Sequence, residues 1–409
     1  MNFHKLIIAF LLLFIQPYQI LLSQSIDKVI SGVSTQRLKH YENFIKREIE
    51  EGWIPGASTQ IISKGELVYS ASFGYSSVKD KRAMKVDDIF YIQSMTKPII
   101  TVALMMLFEE GAFQLTDPVS KYLPGFKNLR VIKNIDDGIL GETVPLKREI
   151  LIADLLSHTA GFTHGLGQNK FEKEFREELF KPFKTVQERV DKLLTMPLIG
   201  QPGEQWTYSA APDVLSVLIE KISGLNANQF LIDRIFKPLG MNDTGYNLTK
   251  AQQQRVVQVH TKDAAGKLTN ATQQPSMEGN TLWSGVNALF STTQDYLIFS
   301  QMLVNGGEWN GKRILSPKTV ELMTLNHTSN LFNKPGEGFG YGFAVLTDVA
   351  ASNNLGSTGL FYWGGAYNTH FFIDPKEKLV VVFMTQTTSF TWFFQEKLRQ
   401  LIYQAVVNK

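Results

Sequence analysis

The chain has 409 residues, of which 44% are hydrophobic and 19% charged, the balance of an ordinary soluble globular protein. Its formal net charge of +3 is spread over interspersed residues of both signs with no basic tract, which argues against nucleic acid as a partner. The absence of cysteine excludes a disulfide framework, a thiol nucleophile and a Cys-ligated metal, and the length, more than one simple core usually holds, points to two lobes.

Residues 1–25 read as a signal peptide. His4-Lys5 is a short basic start, 6–15 is an unbroken apolar run, and Ser23 and Ser25 offer small residues at a cleavage site. Gln16-Pro17 interrupts the run, which falls short of the ~20 residues a spanning helix needs. An exported protein, periplasmic or secreted, with no stable membrane span after cleavage is therefore expected.

The mature chain opens with an amphipathic helix over 35–51, with Leu38, Tyr41, Ile45 and Ile49 on one face. Pro55-Gly56 turns the chain into a hairpin of strands 57–63 and 66–73, joined at Lys64-Gly65. A β-prone apolar stretch, 89–92, then precedes Ser94-Met95-Thr96-Lys97. A Ser with a Lys three residues later is a nucleophile pattern, because positions i and i+3 of a helix face the same way and an amine can reach the hydroxyl. The tetrapeptide occurs at Ser25/Lys28, Ser76/Lys79 and Ser94/Lys97, but only the third is followed by an apolar run, 99–108, that reads as a buried helix. Pro98 is tolerated only near a helix start, which places Ser94 at the N-terminal end, where free N–H groups favour an oxyanion. A plain helix cap at Ser94 and a solvated Lys97 would satisfy the same local sequence.

From 111 to about 280 turn-rich loops alternate with helical patterns at 186–196, 211–223 and 228–236, a mainly helical lobe. His158 and His164, six residues apart, do not have helical metal-ligand spacing. After about 281 a helix over 295–304 is followed by strands at 340–347, 369–373 and 379–385 and a closing helix over 394–407. Strands at both ends with helices between imply an α+β fold, with one antiparallel sheet built from 26–110 and 281–409 and flanked by helices.

Four separated stretches occur in a family's order: Ser94-Met95-Thr96-Lys97, Leu155-Leu156-Ser157-His158-Thr159-Ala160-Gly161, Tyr208-Ser209-Ala210 and Trp363-Gly364-Gly365-Ala366. By them the chain, over nearly all of 26–409, resembles the serine β-lactamase and penicillin-binding-protein superfamily in its class C-like branch, and within it the family VIII carboxylesterases. The resemblance implies the β-lactamase/transpeptidase-like fold, Ser94 as nucleophile, and Lys97 and Tyr208 as the groups that share the proton transfer. Which of the two is the base stays open. It also implies an oxyanion hole from the N–H groups of Ser94 and Ala366, a substrate pocket at Trp363, Gly364 and Gly365, a structural His158, and no metal or organic cofactor. Two departures bear on substrate. Trp363 stands where the β-lactamases carry a cation, and Ala210 where they carry Asn. Both remove groups associated with a β-lactam or a peptide, so a small neutral ester is the expected substrate. A β-lactamase or D-alanyl-D-alanine peptidase acting on peptidoglycan-like peptide is the alternative. A non-catalytic binding protein of the same fold is a third, against which the intact Ser94, Lys97 and Tyr208 argue.

Overall fold

The computed structural model describes residues 28–407, so the export pattern at 1–25 lies outside the described residues. Helix α1 (Leu38–Glu50) buries Leu38, Tyr41, Phe44 and Ile45 as one stripe. Strands β1 (Gly56–Ser63), β2 (Glu66–Ser77) and the short β3 (Arg82–Ala83) follow. Between β1 and β2, Lys64 and Gly65 both have positive φ (52° and 83°), a two-residue type I′ turn whose twist suits paired strands. Helix α2 (Thr96–Glu109) is buried from Thr96 through Leu107, as its apolar character on all sides requires. Helices α3 (Val186–Leu193), α4 (Ala211–Ser223) and α5 (Thr293–Val304) come next. Strands β4 (Glu337–Phe339), β5 (Ala344–Leu346), β6 (Phe361–Gly365), β7 (Thr369–Asp374) and β8 (Leu379–Met384) then lead to helix α6 (Phe393–Tyr403).

The strands form one antiparallel sheet in the order β4-β5-β6-β7-β8-β1-β2-β3, an α+β architecture drawn from both ends of the chain. The two ends meet at β8 and β1, where Leu379 faces Ser63 and Met384 faces Ser58. Alternation along β1 assigns the covering helices to opposite faces. Thr59 bonds the Tyr41 hydroxyl of α1, whereas Ser58 and Gln60 bond Thr293 and Gln294 at the start of α5. Helix α2 packs against α4, and α4 against α3.

Two sequence expectations are corrected. The strand expected over 340–347 is extended only at Ala344–Leu346; 340–343 is the turn that joins it to β4, because Gly342 (φ 84°) donates its N–H to Leu156 and sits against Thr101 of α2, where a Cβ would fall 2.7 Å from the Thr101 hydroxyl. Strand β6, which carries the two glycines, lies inside the sheet between β5 and β7. The helix expected over 228–236 is α-helical only at Ala227–Leu231 and passes into a π-helical turn at Ile232–Phe236. Among the described residues no helix is long and apolar enough to cross a membrane.

Candidate active site

Ser94 is delivered by a small ribbon in which Ile89–Tyr91 pairs with Phe290–Thr292, and by a 3-10 turn, Gln93–Met95, that runs directly into α2. Gln93 adopts φ 48°, a conformation rarely held by a residue with a side chain unless its surroundings enforce it. Here they do: the Ile92 N–H donates to Leu289, the Tyr296 hydroxyl to the Met95 carbonyl, and the Leu289 N–H to the Thr96 hydroxyl. Ser94 is thereby left half-buried at the head of a buried helix.

Lys97, one helical turn on, is 1% exposed. Its Nζ lies 3.0 Å from Ser94 Oγ and donates to the Val286 carbonyl at 2.9 Å. Burial pushes the amine well below its ordinary pKa; Asp213 opposes that shift and Arg189 adds to it. Tyr208 closes the third side, with Lys97 Nζ 4.5 Å from its ring centroid. Burial pushes the phenol up to about 12, while hydrogen bonds with Ser94 and with the Trp363 indole restrain the rise. An indole N–H can only donate, so Trp363 donates to the Tyr208 oxygen. Trp363 is thus more than the apolar surface its sequence position suggests.

The strap 155–161 lies behind this group. His158 (φ 59°) bonds Ser209 through Nδ1 at 2.8 Å, and its ring centroid is 5.2 Å from that of Tyr208. Burial, with Lys97 nearby, lowers its pKa to about 3, so it is a neutral prop for the Tyr208 strap. Ala210, with no exposed surface, donates its N–H to Thr163 and starts α4.

Ser94, Tyr208, Trp363, Gly364 and Ala366 meet around one cavity of about 370 Å³. Gly365 does not line it. The reason for a glycine there is the Ile92 carbonyl, 2.3 Å from where a Cβ would stand. Strand β5 pairs with β6 only at Phe361 and Tyr362, so 363–365 are paired on one side, to β7, and their other edge faces the Ser94 turn. The remaining walls, His164, Leu166, Trp206, Phe390 and Trp392, carry no motif and were not found from sequence, although His164 stood out as one of few histidines. Together they make the cavity largely apolar, with neither Lys nor Arg among its lining residues. Among the described residues no group of three or more His, Asp or Glu is placed to hold a metal ion.

The family described as Beta-lactamase matches residues 41–405. The Mycobacterium tuberculosis protein Rv1367c is 32% identical over 356 residues, covering 84% of this chain and 88% of that one. A Salmonella typhimurium protein provisionally named D-alanyl-D-alanine carboxypeptidase is 27% identical over 408 residues, covering 91% and 87%. Among solved structures, EstCE1, a hydrolase with promiscuous acyltransferase activity, superimposes with a TM-score of 0.78 at 27% identity, covering 90% of this chain and 99% of its own.

Proposed function

The chain belongs to the beta-lactamase family, whose fold serves serine hydrolases and acyltransferases, and from that premise we propose that it is an exported carboxylesterase acting on small neutral esters. The observation that carries the reading is the contact of a fully buried Lys97 amine with a half-open Ser94 hydroxyl at 3.0 Å, beside a cavity without a cation. Ser94 Oγ attacks the ester carbonyl carbon and its proton passes to Lys97 Nζ. The N–H groups of Ser94 and Ala366 hold the oxyanion as it forms. The tetrahedral intermediate collapses, the C–O bond to the alcohol breaks, and Lys97 returns its proton to the leaving oxygen through the Tyr208 hydroxyl. Water then attacks the acyl-Ser94 ester with the same groups reversed, and the acid leaves. A depressed amine and an elevated phenol support Lys97 as the base and Tyr208 as a neutral relay.

A second reading, a D-alanyl peptidase, is suggested by the Salmonella relative. It requires a substrate carboxylate to be desolvated in a cavity whose walls hold no cation, which is unfavourable. The deciding experiment is kcat/KM at one pH on nitrophenyl acetate and butyrate, a chromogenic cephalosporin and a D-alanyl peptide. The esters should exceed the others by at least ~100-fold. Equal turnover of cephalosporin and butyrate would replace the esterase reading with the β-lactamase one.

A further inference from the structure

Beneath the cavity lies a buried ion pair that the reaction as written does not use. Asp213 on α4 has no exposed surface, and Arg189 on α3 is 4% exposed, with Arg189 Nε 3.1 Å from Asp213 Oδ2. A buried pair of this kind seldom stabilises a fold better than well-packed apolar residues, so its presence calls for another explanation. The second oxygen of Asp213 supplies one. Oδ1 accepts the Ser284 hydroxyl at 2.6 Å and the Val286 N–H at 3.2 Å. The same Val286 presents its carbonyl to Lys97 Nζ at 2.9 Å. The segment has no freedom to drift: a Cβ on Gly285 would fall 2.1 Å from the Pro212 carbonyl of α4, and Ala288 is held at φ 91°.

We propose that Asp213, braced by Arg189, is a positioning residue for Lys97, fixing the 284–286 segment so that the Val286 carbonyl aims the amine at Ser94. A neutral amine has two N–H bonds and one lone pair. Donation of one N–H to Val286 holds the nitrogen beside Ser94 and leaves its lone pair free to accept the hydroxyl proton, as a base needs. The carboxylate also acts at a distance. Lys97 is faced by Ser94 from its own turn, by Tyr208, His158 and His164 from the straps, by Asp213 from α4 and by Arg189 from α3. Asp213 is the anion in that set, and of the two members of the pair it is the stronger influence on the amine.

The inference rests on the Ser94/Lys97 reading above, and its test separates the two. The second-order rate of Ser94 labelling by a fluorophosphonate is measured against pH for wild type, Asp213→Asn and Arg189→Met, with stability recorded for each. Removing the anion should move the acid limb at least about half a pH unit lower and reduce the plateau roughly 10- to 100-fold. Removing the cation should move the limb to higher pH. If Asp213→Asn does not fold, the paired Asp213→Asn/Arg189→Met variant, which buries no lone charge, should still show the acid shift in smaller measure. Limbs that superimpose on wild type, with only stability or active fraction lowered, would overturn the proposal. A wild-type protein that the probe does not label at Ser94 would overturn the serine-hydrolase reading, and this one with it.

Discussion

Lys97 and Tyr208 sit in the same buried cluster, yet their surroundings favour neutrality in both, a neutral amine in one and an intact phenol in the other. In the proposed reaction the amine accepts the Ser94 proton while the phenol passes one on. Lys97→Ala should lose activity nearly as completely as Ser94→Ala, by several orders of magnitude in kcat/KM, since nucleophile and base act as a unit. Tyr208→Phe should lose about 10²- to 10³-fold, the usual worth of a proton relay. The pH profile follows from the same direction of shift. Protonation of Lys97 removes the base, so kcat/KM should fall on the acid side and stay level through neutral pH. Trp363→Phe keeps the aromatic wall and deletes the N–H that reaches Tyr208; kcat should drop about tenfold with KM nearly unchanged, as measured on nitrophenyl butyrate. Of these residues, Ser94 and Lys97 stand in a nucleophile pattern that the sequence shows by itself, whereas Tyr208 and Trp363 were singled out only through the family resemblance. Arg189, Asp213 and Val286 were not legible in the sequence, because their proposed roles rest on helix packing between distant segments and no spacing rule records it.

At the scale of elements, the hairpin of β1 and β2 and the strands β7 and β8 could be read from alternation and turn chemistry alone. Strand β6 could not. Its glycines, Gly364 and Gly365, remove the side-chain pattern that marks a strand, and they do so because the backbone must pass close to its neighbours. Gly364 would place a Cβ 2.8 Å from His370 Nδ1, and Gly365 one 2.3 Å from the Ile92 carbonyl. Ile92 carries the turn that presents Ser94, so Gly365→Ala should displace the nucleophile more than it unfolds the protein. The expected result is a fall in kcat/KM of at least ~10²-fold with a modest fall in Tm, checked by kinetics beside thermal melting. An unchanged kcat would mean that β6 and the Ser94 turn are less tightly coupled than the contact implies. The turn at 340–343 between β4 and β5 has the same origin, a tertiary contact of Gly342 with α2 that local propensity does not encode.

For the molecule as a whole, the sheet that joins the two chain ends ties stability to groups far apart in sequence. His370 on β7 and His158 behind Tyr208 are both buried, and burial lowers each to about 3. Among the described residues His370 has no hydrogen-bond partner on either ring nitrogen. In the unfolded chain these imidazoles take up protons near pH 6.5, so their contribution to stability is present above that pH and lost as pH falls toward 3. Thermal melting should accordingly show Tm declining through pH 6 to 4, and His370→Leu should reduce the accompanying loss of unfolding free energy by up to a few kcal/mol. Export rests on 1–25 alone; N-terminal sequencing of protein from its native host should find a chain that starts near residue 26, and one starting at Met1 would contradict it. The central claim, that an ester acylates Ser94 with Lys97 as base, is tested most directly by rapid-quench peptide mass spectrometry after mixing with nitrophenyl butyrate. A butyryl adduct should appear on the Ser94 peptide, decay with turnover and be absent from Ser94→Ala. Turnover retained in Ser94→Ala, or an adduct on any other residue, would contradict it.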